Sequence, residues 1–198
     1  EDVAGNVWIG SSRHGVFVVA NSAFQVVLAE ENEIFTSTDA IADHPDGLLF
    51  HTQEGISLLQ PDKSLWHLQH PYFSSVSGIL VIGKKIWVSS FRGFMELSGD
   101  SLFHYALGRS KENGFNSNLG LSVSRDSKTI YLSNYNFGCL IWDIETQVMT
   151  LMDSTEDFSL CQHTFEDDQG RLWIGSPKGG VSFIQDGHPQ IMVMTLQS

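Results

Sequence analysis

The chain has 198 residues, of which 41% are hydrophobic, 11% aromatic and 17% charged, and its formal net charge is −12. This is the composition of a globular protein that is long enough to bury a sizeable core. The 11 Lys and Arg residues are scattered along the chain, so nucleic acid is not an expected partner, since binding phosphates requires clustered cations. No apolar run approaches the roughly 20 residues of a membrane-spanning helix, and we expect this segment to make no membrane contact.

A related pattern of strand, turn and strand occurs five times in the sequence. In chain order the segments are NVWIGSSRHGVFVV from Asn6, LLFHTQEGISLL from Leu48, IWVSSFRGFMEL from Ile86, IYLSNYNFGCLIW from Ile130 and LWIGSPKGGVSFI from Leu172. The large residues that align in their first strands are Trp8, Leu49, Trp87, Tyr131 and Trp173, at intervals of 41, 38, 44 and 42 residues. Such intervals are typical of propeller blades with four strands each.

The residues of each unit predict short strands and turns without helices. In the last unit the predicted strands are LCQHTFED, RLWIGS, VSFIQ and QIMVMTLQ, and the predicted turns are DDQG, PKGG and DGHP. The first unit has only Glu1 and Asp2 where its inner strand should end. We therefore predict an all-β fold, namely a β-propeller of about five four-stranded antiparallel blades in which the first blade lacks its inner strand.

The five blades are predicted to form a single propeller segment that spans residues 1–198. Their approximate limits are 1–32, 33–71, 72–108, 109–153 and 154–198. Because open blade faces and sheet edges are costly, we expect the chain to be a segment of a larger ring rather than a complete five-bladed one. The open faces should then be covered by self-association with another copy or by the remaining blades of the parent chain.

The polar residues form no pattern that predicts catalysis or metal binding. The eight histidines are dispersed, and His67 and His70 lie three positions apart on a predicted strand, so that they face opposite sides. The acidic turns DHPDG and EDDQG are shorter than the twelve-residue loop of an EF-hand and are interpreted as hairpin turns. The sequence contains neither a nucleophile elbow nor a phosphate loop. It predicts no catalytic residue, no metal and no cofactor.

The tryptophans and cysteines are interpreted as packing residues. Cys139 and Cys161 could form one disulfide, but we interpret both as small core residues. Three of the tryptophans occupy equivalent positions in their repeats, and the other two are predicted to belong to the core as well. The five are Trp8, Trp66, Trp87, Trp142 and Trp173.

Candidates for ligand binding follow from position alone. Propellers usually bind at the face where loops between the second and third strands of each blade meet the loops that link successive blades, and loops carry function more often than strands do. At these positions the sequence has a mixture of aromatic, amide and basic side chains, which is the mixture that a neutral or acidic sugar would require. The candidates are Arg13, His14, Tyr72, Phe91, Arg92, Phe115, Tyr135, Asn136 and Lys178.

Two copies of the repeat closely resemble the two-component regulator propeller repeat. The pattern is an acidic pair followed by G-x-(V/L)-W-I-G-S and then by G-V, and it stands at Glu1 to Val16 and at Glu166 to Val181. A fair third copy from Gly83 to Leu97 lacks the acidic pair, and the copies at Leu48 and Ile130 lack the Trp. Together the five copies cover essentially the whole chain.

This resemblance implies a place in the periplasmic sensor region of a bacterial hybrid two-component system, many of which sense glycan fragments. Such regions form seven-bladed rings ahead of a membrane span and a histidine kinase, so the implied role is signal transduction by a non-catalytic module. We expect the module to sense a ligand, with an oligosaccharide as the expected partner, or to serve as a scaffold. Two alternatives are a protein–protein interaction propeller without a small ligand and a propeller enzyme such as a lyase.

Overall fold

The computed structural model describes residues 7–11, 15–20, 23–26, 38–52, 55–73, 75–105, 120–134, 138–152, 160–176, 180–185 and 188–192. The chain divides into two compact units, Glu1–Ala106 and Leu107–Ser198. Each unit is described by itself below.

The first unit contains three antiparallel sheets, in which each strand pairs with the next one in sequence. Sheet A consists of β1 (Val7–Ser11), β2 (Gly15–Ala20) and β3 (Ala23–Val26). Sheet B consists of β4 (Ile41–His44), β5 (Gly47–Thr52), β6 (Gly55–Leu59) and β7 (Leu65–Gln69). A 3-10 turn, Pro71–Phe73, leads to sheet C, which consists of β8 (Val76–Ile82), β9 (Lys85–Ser90), β10 (Gly93–Ser98) and β11 (Ser101–Tyr105).

The second unit contains two antiparallel sheets of the same kind. Sheet D consists of β12 (Gly120–Val123), β13 (Thr129–Asn134), β14 (Gly138–Asp143) and β15 (Val148–Leu151). Sheet E consists of β16 (His163–Glu166), β17 (Leu172–Ser176), β18 (Gly180–Gln185) and β19 (His188–Met192). The predicted turn DGHP is wrong in its second half, because β19 already begins at His188. Pro189 is tolerated there because β19 is the edge strand of sheet E.

These sheets confirm the predicted all-β fold with four-stranded antiparallel blades. Sheets B, C, D and E each have four strands in consecutive order, and sheet A has three strands in its described part. The repeated segments supply the second and third strands of the four-stranded sheets, with Leu49 in β5 and Trp87 in β9. The acidic turn DHPDG joins β4 to β5 as a hairpin, as predicted. The limits of the five blades and the size of a complete ring stay predictions.

The core of the first unit lies between sheets B and C. Consecutive residues of a strand point to opposite faces of its sheet, so that Leu49 faces sheet C whereas Leu48 and Phe50 pack together on the other face of sheet B. Burial on both faces explains why the repeat has apolar residues at consecutive positions. The cluster between the two sheets contains Ala40, Leu49, Ile56, Phe73, Val76, Ile79, Ile86, Val88, Met95 and Leu97.

Trp87 lies on the face of sheet C that is opposite to this cluster. Its ring stacks on Phe94 at 5.3 Å and on Tyr105 at 6.1 Å between ring centroids. The buried Glu96 carboxylate accepts a hydrogen bond from the Tyr105 hydroxyl at 2.8 Å and pairs with the Lys85 ammonium at 2.7 Å. These two partners offset the free-energy cost of burying the Glu96 charge. Burial and the Glu96 carboxylate raise the pKa of Tyr105 to about 12.

The tryptophans differ in how far they serve as packing residues. Trp87 and Trp142 are only 1% and 3% exposed, which confirms the prediction for these two. Trp66 is 44% exposed, so its assignment to the core is wrong. The reason is its place on β7, the last strand of sheet B. The side chain of Trp8 lies outside the described residues.

The core of the second unit lies between sheets D and E. Its buried residues are Cys139, Cys161, Leu172 and Ile174. Both thiols are free, which confirms their interpretation as core residues. A hydrogen bond with Cys161, together with burial, raises the pKa of the Cys139 thiol well above its ordinary value.

The acidic turn EDDQG is also a hairpin turn, and Asp167 holds it together. Asp167 Oδ1 accepts hydrogen bonds from the backbone N–H groups of Gln169 and Arg171, at 2.9 and 3.0 Å. Asp167 Oδ2 accepts from Arg171 Nε at 2.6 Å and from Trp173 Nε1 at 2.7 Å. Gly170 has a φ of 73°, which glycine adopts without steric penalty. Burial alone would raise the pKa of Asp167, but the hydrogen bonds from Trp173, Arg171 and Gln169 hold it well below its ordinary value.

Candidate functional site

Three of the predicted candidates lie at the same end of sheets B and C. Tyr72 belongs to the 3-10 turn between β7 and β8, and Phe91 and Arg92 form the turn between β9 and β10. The two segments are joined by a hydrogen bond from Phe91 N to Ser75 O at 3.1 Å. The remaining candidates lie outside the described residues: Arg13, His14, Phe115, Tyr135, Asn136 and Lys178.

His104 connects Tyr72 to the turn that carries Arg92. The rings of His104 and Tyr72 lie 5.1 Å apart, and His104 Nε2 lies 3.0 Å from the carbonyl oxygen of Arg92. Because a carbonyl oxygen only accepts, Nε2 donates in this contact, and Nδ1 of the neutral ring is left as an acceptor. Gly93 makes room for the imidazole, since an added Cβ would lie 2.7 Å from His104 Nε2. The sequence thus places Tyr72 and Arg92 around a shared histidine.

Phe73 and His70 hold the turn that carries Tyr72. Phe73 is fully buried in the core between sheets B and C, and its N–H donates to His70 O at 2.9 Å. His70 Nδ1 accepts a hydrogen bond from Tyr72 N at 3.2 Å, and the rings of these two residues lie 5.1 Å apart. Tyr72 itself is 37% exposed. An exposed phenol ring is therefore presented on a rigid base.

His51 lies beneath this turn as a buried imidazole. Its side chain is 3% exposed, and its Nδ1 lies 3.6 Å from the Asp39 carboxylate. Its Nε2 lies 3.2 Å from Phe73 O and 3.5 Å from Val76 N. Burial lowers the pKa of His51, although the Asp39 charge and the Phe73 carbonyl act in the opposite direction. The contacts of Nε2 with Phe73 O and Val76 N tie β5 to the start of β8.

The sequence analysis did not select the histidines of this site. His70 directly follows β7 and His104 lies near the end of β11, so both stand where the outer strand of a sheet ends. That similar placement is the signal that could have identified them. His67 differs, because it lies within β7 and shares a hydrogen bond of 2.8 Å with Ser57. We refer to His70, Tyr72, Phe91, Arg92 and His104 together as the Tyr72 cluster.

The Tyr72 cluster combines aromatic rings, imidazole nitrogens and a cation. Tyr72 and Phe91 are 37% and 45% exposed, and Arg92 is exposed as well. Exposed rings can stack on an apolar surface of a ligand, and a guanidinium can bind a carboxylate through two parallel hydrogen bonds. In the described part of the chain, no group of three His, Cys, Asp or Glu side chains is placed to hold a metal ion. None of the described residues belongs to a helix long and apolar enough to cross a membrane.

Comparison with family models and with curated proteins finds no match for this chain. Solved structures do match it. The extracellular domains of two hybrid two-component systems of B. thetaiotaomicron have TM-scores of 0.74 and 0.78 at identities of 19% and 15%, over 96% and 98% of this chain. Virginiamycin B lyase of Staphylococcus aureus has a TM-score of 0.76 at 14% identity, over 96% of this chain and 67% of its own.

These likenesses define the class of fold as a β-propeller, which confirms the predicted architecture. The resemblance inferred from the repeats is confirmed in structure, since the chain is similar in fold to extracellular domains of hybrid two-component systems. The chain spans 26% and 28% of the length of the two domains above. At these identities the likeness concerns the fold, which propellers of different function share.

Proposed function

We propose that this chain is a ligand-sensing module, without catalytic activity of its own, in the periplasmic sensor region of a hybrid two-component system whose full chain is a histidine kinase. The likeness in fold to extracellular domains of such systems supports the proposal. The observation that carries it is the Tyr72 cluster, in which the exposed Tyr72 lies on a turn anchored by the buried Phe73 and His51, beside the turn of the exposed Phe91 and Arg92. A preorganised surface of this kind favours binding, because little conformational entropy is lost when a ligand arrives.

The proposed ligand is an oligosaccharide that carries a carboxylate. A sugar ring can stack on the exposed face of Tyr72 or Phe91, while its carboxylate pairs with the Arg92 guanidinium. The sugar hydroxyls can donate to His104 Nδ1, which accepts when the ring is neutral. A neutral sugar would use the same rings without the Arg92 contact, so we expect an acidic oligosaccharide to bind more tightly.

The proposed protein partner is the rest of a larger, seven-bladed propeller in the parent chain. In the second unit Phe165 is 64% exposed on β16, and in the first unit Val7 and Ile9 are 44% and 41% exposed on β1. Apolar side chains of blade strands normally pack against the next blade, so this exposure favours cover by further blades. Alternatively, a second copy of the chain covers these apolar residues. Analytical ultracentrifugation would detect it as a concentration-dependent dimer.

An interaction propeller without a small ligand is the second candidate function. The same exposed apolar residues, Phe165 above all, favour it. It predicts a partner protein that is recovered by affinity purification and no response of this chain to sugars. A lyase is supported by likeness in fold to virginiamycin B lyase and to a streptogramin B lyase, and by no arrangement of the described residues.

A thermal-shift panel tests the ligand proposal. The 198-residue chain would be mixed with neutral and uronic-acid oligosaccharides as wild type, as Arg92→Gln and as Phe103→Ala. Phe103 provides the matched control, because it is 49% exposed and lies next to His104 but on the opposite face of β11. We expect acidic oligosaccharides to stabilise the wild type and the Phe103 variant but not the Arg92 variant. No response to any sugar would favour the interaction propeller, and a parent gene without a membrane span and a kinase would contradict the sensor proposal.

A further inference from the structure

A groove lies between sheets B and C at the end of their strands that is opposite to the Tyr72 cluster. It is formed by the turns between β4 and β5, β6 and β7, β8 and β9, and β10 and β11, and its volume is about 360 Å³. A volume of this size suits a small molecule. The groove is lined by His44, Leu49, Leu58, Gln60, Trp66, Lys84, Ile86, Leu97 and Gly99.

The apolar lining of this groove follows from the register of the strands. Leu49 pairs with Leu58, and Leu58 pairs with Trp66, so these three side chains share the face of sheet B that packs on sheet C. On sheet C, Ile86 pairs with Leu97. The four aliphatic side chains carry no hydrogen-bonding atom. They therefore suit an apolar ring, whereas the hydroxyl groups of a sugar would be buried against them without partners.

The polar lining of the groove is rich in hydrogen-bond donors. The Lys84 ammonium and the Trp66 indole N–H can donate but cannot accept. His44 Nδ1 accepts a hydrogen bond from Asp46 N at 3.1 Å, so the neutral ring carries its proton on Nε2 and donates from there. A ligand group that offers only acceptors, such as a carboxylate, matches these three donors.

Lys84 also gives the groove a positive charge. Its neighbour Lys85 pairs with Glu96 at 2.7 Å, whereas Lys84 is in none of the ion pairs among the described residues. The nearby Asp46 carboxylate is 70% exposed and is therefore solvated. A carboxylate in the groove would form a charge-assisted hydrogen bond with Lys84, while an amine would face a like charge.

We propose that this groove binds a small aromatic carboxylate. The ring packs against Leu58 and Trp66 at the mouth of the groove, and the carboxylate lies against Lys84 and His44. The floor of the groove is the buried Leu49, Ile86 and Leu97. Trp66 is 44% exposed, and an aromatic ligand would cover part of its ring in an offset or edge-on contact. The groove and the Tyr72 cluster differ in position and in chemistry, so this site is independent of the sugar site proposed above.

Titration with aromatic acids tests this proposal. The probes are benzoate, 3-phenylpropionate and indole-3-acetate, each paired with its neutral amide, and binding is followed by ¹H–¹⁵N NMR on the 198-residue chain. We expect saturable shifts of the Trp66 indole N–H and the Lys84 amide. The amides should bind the wild type about tenfold more weakly than the acids do, because a hydrogen bond to a charged group is lost. For the same reason the acids should bind Lys84→Gln about tenfold more weakly than the wild type.

Two further variants sharpen the experiment. Lys128→Gln is the matched control, because Lys128 is an exposed lysine in the corresponding turn before β13 of sheet D, and it should bind the acids as the wild type does. Trp66→Ala should weaken all probes and leave the fold intact, since Trp66 is 44% exposed and lies on the outer strand of sheet B. The proposal is overturned if no acid saturates, if amides bind as tightly as acids, or if Lys84→Gln binds as the wild type does. Shifts confined to the Tyr72 cluster would overturn it as well.

Discussion

Sheet E and the paired sheets B and C differ in what their most distinctive residues do. In sheet E the repeat residues Asp167, Gly170 and Trp173 close a hairpin turn and fix an indole ring. At one end of sheets B and C, Tyr72 lies outside the repeated segments and Arg92 lies in the turn of one of them. Both stand exposed around a shared histidine. The repeated Asp, Gly and Trp of sheet E therefore serve packing. The exposed residues in the turns between strands are the better candidates for binding.

The largest loss of stability is expected from replacing Phe73, the buried residue next to Tyr72. Phe73 is fully buried, and we expect Phe73→Ala to lower the free energy of unfolding by about 3–5 kcal/mol, as other large-to-small core substitutions do. Urea denaturation of the wild type and the variant measures the loss. A loss below about 1 kcal/mol would show that the turn is not anchored in the core.

The next effect concerns the repeat residue Asp167. Its pKa is held below the ordinary value, so its contribution to stability is fully present above about pH 4 and is lost as the pH falls further. We expect Asp167→Asn to be less stable than the wild type at neutral pH, by less than Phe73→Ala. The difference in free energy of unfolding between the two proteins should decrease as the pH falls from 5 to 2. Urea denaturation across this range measures it.

The neighbouring Asp168 supplies the control for this experiment. It is 97% exposed and pairs with Arg125 at 3.3 Å, and exposed pairs of this kind contribute little to stability. Asp168→Asn should therefore behave as the wild type does. Neither substitution should change ligand binding, and a loss of sugar affinity in Asp167→Asn would contradict the division between packing and binding residues.

A smaller effect is expected from the titration of His51. Burial lowers its folded pKa, so the unfolded chain binds a proton more readily, and stability is full above about pH 6.5 and falls below it. His51→Gln keeps a donor for the Phe73 carbonyl but does not titrate. We expect its unfolding midpoint to fall less than that of the wild type between pH 7.5 and pH 5.5. His163→Gln, at an exposed histidine, is the control. If the unfolding midpoints of His51→Gln and the wild type fell equally with pH, His51 would not be the cause of the pH dependence.

The smallest effect on stability is expected from Tyr72→Ala. Its ring is 37% exposed, and substitutions at the surface usually change the free energy of unfolding by less than about 1 kcal/mol. Thermal denaturation in the absence of ligand measures this. A loss as large as that of Phe73→Ala would show that Tyr72 is a packing residue rather than a binding residue.

The architecture could be predicted from the sequence because packing repeats with the blade period. The spacing of Leu49, Trp87 and Trp173 reflects the second strand of each sheet, and in sheets B and C that strand is buried on both faces. Trp66 and Trp142 were both predicted to lie on outward strands and in the core, and only Trp142 is buried. The burial of Trp66 depends on what lies beyond β7, which local sequence does not record.

The candidate site could be predicted only in part. Loop position was enough to select Tyr72 and Arg92, since turns between strands can be placed from the repeat. His104 was missed because its contacts with both residues depend on how β11 is registered against β10 and on the space above Gly93. The hydrogen bond between Trp173 and Asp167 was not predicted either. The same six-residue spacing separates Asp2 from Trp8 in the first copy of the repeat.

The most direct test of the account is a calorimetric titration of the wild type, Tyr72→Ala, Arg92→Gln and Asp167→Asn with one uronic-acid oligosaccharide. We expect the wild type and Asp167→Asn to bind with the same affinity, and Tyr72→Ala and Arg92→Gln to bind at least about tenfold more weakly, because each loses a stacking or charge-assisted contact. Equal affinity of all four proteins for the sugar, or no binding by any of them, would contradict the central claim that the Tyr72 cluster is the sensing surface.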